Sequence, residues 1–222
     1  MAGTKRESGA GGAGAGAGRR GVHHGDLENA LISAATAMIA ARGSTEVSLR
    51  EVAESVGVSH TAAYRHFAAK ADLLAAIAER AFARLDAEVG KAVAAAGSDA
   101  GARLRAAGLA YVAFAERHPG AFRTMFLTEL CDATRHPAVV GAATASFARL
   151  ASLVAGGQAQ GMVRRDRDAE VLAAALWAGE HGHASLLVDA MLREGAAKGN
   201  PAPRGDRTVL VDLLLRGIAP ES

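Results

Sequence analysis

The chain has 222 residues, half of them apolar, with a formal net charge of +2 and one cysteine. A single cysteine excludes an intramolecular disulfide framework and suits a reducing cytoplasm. The small net charge argues against a protein that coats nucleic acid without sequence preference, because such proteins depend on a strong positive field.

Residues 1–25 form a Gly/Ala-rich tail, which we expect to be disordered. The tail lacks the compact apolar segment of a signal peptide, and no run of the chain reaches the roughly 20 apolar residues of a membrane span. We therefore expect a cytoplasmic protein that does not cross a membrane. Four basic side chains end the tail: Arg19, Arg20, His23 and His24. They either reach a minor groove of DNA or stay solvated, and the solvated tail is the simpler interpretation.

The next segment, residues 26–72, is predicted to form three helices, the first running from about Asp26 to Arg42. Ser48 and Glu51 have the spacing of a capping box, so a second helix begins there. Gly57 ends that helix. A third helix, residues 60–66, follows the turn. Such a helix-turn-helix is typical of proteins that place a short helix in the major groove of DNA.

The third helix carries small side chains at its start and bulky polar ones at its end. Three residues are predicted to face the bases, either by hydrogen bonds or by apolar contact: His60, Thr61 and Ala62. Four residues are predicted to bind phosphates: Ser48, Tyr64, His66 and Lys70. Phe67 is expected to turn inward and anchor the helix. A plain packed helical hairpin is the alternative, and it requires the whole spaced set to arise by chance.

Residues 58–74 read VSHTAAYRHFAAKADLL, with a Tyr-x-His-Phe motif followed by a lysine and a Leu-Leu pair. This segment closely resembles the end of the DNA-binding domain of TetR-type transcriptional repressors, and the resemblance extends over residues 26–85. Two positions depart from the family pattern. Ala63 stands where a larger residue or proline is common, and Ala69 where a capping residue such as serine is frequent.

Residues 73–222 are predicted to form a helical bundle behind the DNA-binding domain, so that the whole fold is all-α. A long helix from about Lys70 to Ala96 connects the two parts. The next helix is expected to end at His118-Pro119, and a short helix is expected around Phe122–Phe126. Another helix is expected to start at Pro137 and to break at Gly156, Gly157 and Gly161. The last two helices are expected to span Asp166–Arg193 and Asp206–Ala219. A loose loop is expected at residues 195–205.

Two motifs in this bundle also resemble a known subgroup. Tyr111–Ala115 with His118-Pro119, and Trp177-x-x-x-His181-Gly182, are similar to the regulatory domain of TetR proteins with a Trp-His-Gly signature. The resemblance implies ligand sensing and dimerisation. His181 and His183 lie beside Glu180, but residues two apart on a helix point about 200° apart, so no metal site is expected. Gly179 and Gly182 are instead expected to allow close helix packing, for example at a dimer seam.

An effector pocket is expected between the long helices. Its candidate lining residues are aromatic or large: Phe114, Phe122, Met125, Phe126, Phe147, Trp177 and His181. Each of them is more simply an ordinary core residue. If they line a pocket, an apolar or aromatic effector is expected.

The sequence thus predicts a sequence-specific transcriptional regulator, a ligand-responsive repressor that binds a palindromic operator in double-stranded DNA as a homodimer. The alternative is a DNA-binding protein without an effector, either architectural or controlled by a partner. An enzyme is not expected, because no nucleophile elbow, phosphate loop, paired-carboxylate site or metal cluster is visible. No cofactor is expected either.

Overall fold

A computed structural model of the chain describes residues 24–194 and 206–220. Within these ranges the regular structure is entirely helical, which confirms the all-α prediction. The helices are α1 (His24–Arg42), α2 (Leu49–Ser55), α3 (His60–Tyr64), α4 (Lys70–Ala95), α5 (Ala100–Arg117), α6 (Pro119–Met125), α7 (Pro137–Ala159), α8 (Ala169–Glu194) and α9 (Arg207–Gly217), with a 3₁₀ turn at Thr128–Leu130. The tail up to His23 and the loop 195–205 lie outside the described residues.

The helix α3 is two residues shorter than predicted. It ends at Tyr64 because the amides of both His66 and Phe67 bond to the carbonyl oxygen of Ala63, each over 3.0 Å. These converging bonds close the last turn and direct Phe67 into the core, where its side chain is 5% exposed. His66 therefore lies in the turn after α3 and not within the helix.

The predicted break of α7 at Gly156 and Gly157 is wrong, because the helix continues to Ala159. Gly157 is buried inside the helix, where an added Cβ would lie 2.5 Å from Cγ2 of Val163. The glycine thus lets the chain fold back onto α7. Gly161, with φ of 74°, makes the turn itself.

The helix α8 begins at Ala169, three residues later than predicted. Arg164 forms an ion pair with Asp166 over 2.5 Å, and the side-chain amide of Gln158 donates to the carbonyl oxygens of Arg164 and Arg167. These side-chain bonds hold the segment in a turn. The carbonyl oxygens of Arg164 and Arg167 already accept hydrogen bonds from Gln158.

One cluster of buried apolar side chains continues from the N-terminal helices into the bundle. It contains Leu31 and Val52 from the first helices together with Phe114 and Val188 from α5 and α8. The helix α4 runs without interruption past residue 72, where we predicted the domain boundary. That boundary stays a prediction. A shared core implies that repacking in the bundle reaches the N-terminal helices.

The helix α7 has the length and apolar composition of a membrane span, with a mean hydropathy of 1.6. This corrects the prediction that no run of the chain is long and apolar enough. The helix packs along α4, α5 and α8. A single helix of this kind is weak evidence for a membrane protein, since core helices of soluble proteins share the same composition.

Candidate nucleic-acid interface and ligand cavity

The capping box predicted at the start of α2 is present. The Ser48 hydroxyl oxygen accepts the amide of Glu51 over 3.2 Å, and the Glu51 carboxylate accepts the amide of Ser48 over 2.9 Å. Hydrogen bonds from the Arg42 guanidinium and from Ser48 lower the pKa of Glu51 to about 2. The Ser48 hydroxyl also donates to this carboxylate over 2.8 Å. A phosphate contact by Ser48 therefore requires that bond to break.

The turn between α2 and α3 is fixed by its backbone. Gly57 has φ of 73°, a conformation that side chains with a Cβ rarely adopt. The Ser59 hydroxyl oxygen accepts the amide of Ala62 over 3.2 Å and caps α3. Ala63 is fully buried, and with Phe67 it seats the short helix on the core. The small residue at position 63 thus serves packing, and it does not face outward.

The outward side of α3 carries the predicted DNA contacts. His60 and Thr61, in the first turn, are exposed, Ala62 is half-buried, and Tyr64 is 52% exposed. His66 and Lys70 lie beyond the helix and are half-buried.

Lys70 is the first residue of α4. The preceding residue, Ala69, has no capping side chain, but the Asp72 carboxylate accepts its amide over 2.9 Å. The loss of a capping serine at position 69 is therefore compensated by half of a capping box. The start of α4, and with it Lys70, keeps a defined position beside α3.

Sequence reasoning missed one cation on this surface. Arg65 is exposed at the C-cap of α3, and it has no carboxylate partner among the described residues. By contrast, Arg42 and Arg50 form ion pairs with Glu51 and Glu54. A basic residue directly after Tyr64 was the available signal. Arg65 joins Tyr64 and Lys70 as a group suited to a phosphate.

A cavity of about 330 Å³ lies between α4, α5, α7 and α8, next to the end of α6. Its walls are mostly apolar and aromatic. Four predicted residues line it: Met125, Phe126, Phe147 and Trp177. Sequence reasoning missed most of the other walls, which include Phe82, Leu85, Asp86, Val89, Tyr111, Cys131, Arg149, Leu150 and Glu180.

Three residues that we predicted to line the pocket do not line the cavity, and they pack against the residues that do. Phe114 is fully buried, with its ring 5.0 Å from that of His118. Phe122 packs edge-on against Tyr111, with ring centroids 5.8 Å apart. His181 stacks at 5.3 Å on Trp177, as expected for residues four apart on one helical face. These side chains support the walls, and they do not form them.

The Trp177–His181 pair holds a buried tyrosine in the wall. The Trp177 indole N–H donates to the Tyr111 hydroxyl over 3.2 Å, and that hydroxyl lies 2.9 Å from Nδ1 of His181. Burial lowers the pKa of His181 and raises the pKa of Tyr111, so both are neutral near pH 7. With the tyrosine donating to Nδ1, Nε2 carries the proton and faces Ser185 over 3.4 Å.

A carboxyl group lines the same wall. Glu180 is 5% exposed, and burial raises its pKa to about 7. No hydrogen bond or ion pair joins its carboxyl to another residue within 24–194 or 206–220. The other two charged lining residues, Asp86 and Arg149, pair with each other over 2.7 Å. No group of three or more metal-ligating side chains occurs among the described residues.

Cys131 is one of the residues that line the cavity. Its side chain is exposed, and its thiol is 3.6 Å from the carbonyl oxygen of Leu127. The sequence left two interpretations open, a redox-sensitive residue or inert packing. The exposure excludes packing in the core.

The helix α6 contacts both the cavity and α1. Met125 at its end lines the cavity, while Gly120 at its start lies against the backbone of α1. A Cβ on Gly120 would lie 2.9 Å from the amide nitrogen of Ala40. The Arg123 guanidinium between them donates to the carbonyl oxygen of Gly43 over 2.5 Å. Any displacement of α6 would therefore act directly on α1.

The helices α8 and α9 expose large apolar side chains. Four of these side chains are more than half exposed: Val171, Leu186, Val209 and Leu213. Of the two glycines expected to allow close packing, Gly179 lies against Leu214 of α9, where a Cβ would be 2.7 Å from Cδ2. Gly182 is exposed and has no atom within 4 Å of the position of a Cβ.

Both the N-terminal and the C-terminal part of the chain match known protein families. Residues 31–77 match the profile of bacterial regulatory proteins of the tetR family, and residues 104–209 match the tetracyclin repressor-like C-terminal domain. No curated protein matches the sequence.

Several solved structures are similar over most of the chain. One is a protein with unknown function from Rhodococcus sp. RHA1, with 32% identity, a TM-score of 0.69, and coverage of 90% of this chain and 99% of that one. A bacterial regulatory protein in the tetR family from Rhodococcus RHA1 has 22% identity, a TM-score of 0.64, and coverage of 88% and 98%. The protein AibR, in complex with isovaleryl coenzyme A and operator DNA, has 18% identity, a TM-score of 0.64, and coverage of 88% and 99%.

Proposed function

The chain belongs to the TetR family of transcriptional regulators, with a DNA-binding helix-turn-helix in its N-terminal part, and we propose that it is a ligand-responsive repressor acting as a homodimer. The observation that carries the proposal is the position of α6 between an apolar cavity and α1. One protein of this fold, AibR, binds both operator DNA and isovaleryl coenzyme A.

The DNA contacts we propose are those of α3 and its surroundings. His60, Thr61 and Ala62 face the bases, while Tyr64, Arg65 and Lys70 bind phosphates. The small net charge favours a few directed contacts on each half of a palindrome over general attraction to DNA. His66 and Ser48 remain proposed phosphate contacts, with the hydroxyl proton of Ser48 directed at Glu51.

The homodimer we propose forms through the exposed apolar side chains of α8 and α9. Contiguous apolar surface on a soluble protein marks an interface, and most homodimers pair the same surface twice. Val171 and Leu186 on α8 lie on the same side as the exposed Gly182, where another helix can approach closely. Such a dimer presents two α3 helices about 34 Å apart, one turn of DNA.

The proposed coupling runs through α6. A ligand that fills the cavity pushes on Met125 and Phe126 at the end of α6, and Gly120 and Arg123 carry the displacement to α1. Regulation requires that the ligand binds one arrangement more tightly than the other. Trp177 lines the cavity and His181 supports its wall. Membership of the Trp-His-Gly subgroup stays a prediction.

The direct test of the DNA interface is a gel shift with the DNA upstream of the gene that encodes the chain. Tyr64→Ala is expected to weaken binding by about tenfold, because it removes an exposed phosphate contact. Lys91→Ala, at an exposed position on α4 away from α3, is the matched control and should bind like the wild type. Equal binding by the two variants would contradict the proposed contacts.

The alternative without an effector makes a different prediction. A protein that senses no small molecule gains no thermal stability from any of them, whereas a ligand that binds the folded state raises the melting temperature. A thermal-shift screen of small apolar molecules therefore separates the two. A screen in which no compound stabilises the protein would favour the architectural or partner-controlled alternative.

A further inference from the structure

The Glu180 carboxyl is buried against a glycine, and its burial without a partner costs folding free energy. Gly108 on α5 faces this side chain, and a Cβ at that position would lie 2.4 Å from Oε1 of Glu180. Burying an acid without a partner destabilises a protein, and an apolar residue would fill the site without that penalty. Nothing in the fold of α5 or α8 requires the acid. Its presence in the cavity wall therefore points to a bound molecule.

The charged and polar groups that line the cavity with Glu180 indicate the charge of that molecule. Of the described residues that line the cavity, Arg149 alone is cationic, and it is already paired with Asp86. The Tyr111 hydroxyl is already hydrogen-bonded to Trp177 and His181, so it is not available to donate a hydrogen bond to an anion. An anionic group would thus face an unpaired acid, whereas a cationic group would gain a partner.

Aromatic rings complete a cation-binding environment. The rings of Phe126 and Phe147 each lie 6.3 Å from that of Trp177, which lines the cavity on the same helix as Glu180. Faces of aromatic rings attract ammonium groups, most strongly where water is excluded. The cavity volume of about 330 Å³ is at the small end of ligand sites. It suits a compact molecule with one or two rings.

We propose that the cavity takes a small apolar or aromatic molecule carrying one protonated amine, and that the Glu180 carboxylate is its counter-ion. This inference rests on the proposed function, which makes the cavity the effector site. It adds the chemical class of the effector. AibR binds isovaleryl coenzyme A, which belongs to a different chemical class, so an anionic probe serves as the contrasting case.

Three probes of matched shape test the charge: 4-phenylbutylamine, 4-phenylbutan-1-ol and 5-phenylpentanoate. Trp177 is the only tryptophan of the chain and lines the cavity, so its fluorescence reports binding directly. The amine is expected to bind the full-length protein at least about tenfold more tightly than the alcohol, and the carboxylate least tightly. An alcohol or carboxylate that binds as tightly as the amine would overturn the inference.

The variant Glu180→Gln keeps the shape of the side chain and removes its charge. It is expected to lose the preference and to bind the amine no more tightly than the alcohol. Glu170→Gln, an exposed position on α8, is the matched control and should keep the preference. A Glu180→Gln protein that still prefers the amine would contradict the role of Glu180.

A second measurement needs no variant. Because burial raises the pKa of Glu180 to about 7, binding of an amine near pH 7 should release protons from the wild type, and binding of the alcohol should not. Calorimetry in buffers of different ionisation enthalpy measures this release, and its absence for the amine would contradict the inference.

The two proposals fail in different ways. If the alcohol or the carboxylate quenches Trp177 and releases operator DNA while the amine does neither, the ligand-responsive function stands and the amine inference is wrong. If no probe quenches Trp177 or releases DNA, the amine inference is overturned, and the thermal-shift screen decides whether the protein responds to another ligand. An amine that quenches Trp177 without releasing DNA supports the ligand class and contradicts the regulatory role of the cavity.

Discussion

The guanidinium of Arg123 donates a hydrogen bond over 2.5 Å to the carbonyl oxygen of Gly43. Gly43 follows the last residue of α1 in a left-handed conformation, with φ of 64°. Carbonyl groups at the end of a helix lack partners within the helix, so Arg123 supplies one from α6. The same guanidinium pairs with Asp189 on α8. One side chain thus joins the end of α1 to two helices of the bundle.

Arg123→Met should destabilise the end of α1 without leaving a cavity in the core. The loss of two charge-assisted bonds at a partly exposed site is expected to lower the melting temperature by about 2–4 °C. Amides of residues 40–47 should also exchange faster with solvent, as measured by hydrogen–deuterium exchange. Arg135→Met, at an exposed position in a loop, is the control. Unchanged exchange at residues 40–47 would show that Arg123 does not hold α1.

Gly120→Ala tests the close contact between α6 and α1. The added methyl group meets the backbone of Ala40 at 2.9 Å and the carbonyl oxygen of Thr36 at 3.0 Å, and backbone atoms cannot rotate away. We expect a loss of about 1–3 kcal/mol in the free energy of unfolding, measured in urea. Gly141→Ala on α7 meets no atom within 4 Å and should be neutral or slightly stabilising. Equal stability of the two variants would mean that α6 does not press on α1.

Local features of this fold were predictable from sequence, because their causes lie within a few residues. The capping box of Ser48 and Glu51 and the turn at Gly57 depend only on neighbours along the chain. The early end of α3 was not predictable in this way. It depends on Phe67 entering a core that is built from distant helices.

The cavity was only partly predictable, because its walls come from segments far apart in sequence. Asp86 and Arg149 meet only through the packing of α4 against α7. For Glu180 a signal did exist. It stands midway between Leu176 and Ala184 at a spacing of four, and both neighbours are buried. An acid in such an apolar stripe is expected to be buried.

Leu213→Glu should disrupt the proposed dimer. Leu213 is 56% exposed in the isolated chain, and in the dimer it would be covered by a partner, where a carboxylate loses its water. We expect sedimentation of the variant as a monomer at concentrations where the wild type is a dimer. Ala83→Glu, an exposed site on α4, adds the same charge outside this surface and should leave the dimer intact. A dimeric Leu213→Glu protein would place the interface elsewhere.

Arg65→Ala should weaken binding to all DNA sequences to a similar extent, because a phosphate contact carries no sequence information. The slope of the logarithm of the affinity against that of the salt concentration should flatten by about one, and the same holds for Lys70→Ala. Arg50→Ala is the matched control, since Arg50 is paired with Glu54. If the salt slopes of the Arg65 and Arg50 variants are equal, Arg65 does not bind phosphate.

The stability of the protein should depend on the protonation of Glu180. Its pKa rises from 4.5 in the unfolded chain to about 7 in the folded protein, because burial disfavours the charged form. The folded state therefore binds more protons than the unfolded state between these values, and stability falls as the pH rises through this range.

The difference between the wild type and Glu180→Gln isolates this effect. The protonated acid and the amide are similar near pH 4.5, so the two proteins should then have similar stability. At pH 8 the wild type should be less stable than the variant by about 3 kcal/mol. His181, whose pKa is lowered by burial, titrates in both proteins and cancels in the difference. Urea denaturation from pH 4.5 to 8 provides the measurement, with Glu170→Gln expected to follow the wild type. Parallel curves for the wild type and Glu180→Gln would mean that the Glu180 carboxyl is ionised and solvated in the folded protein.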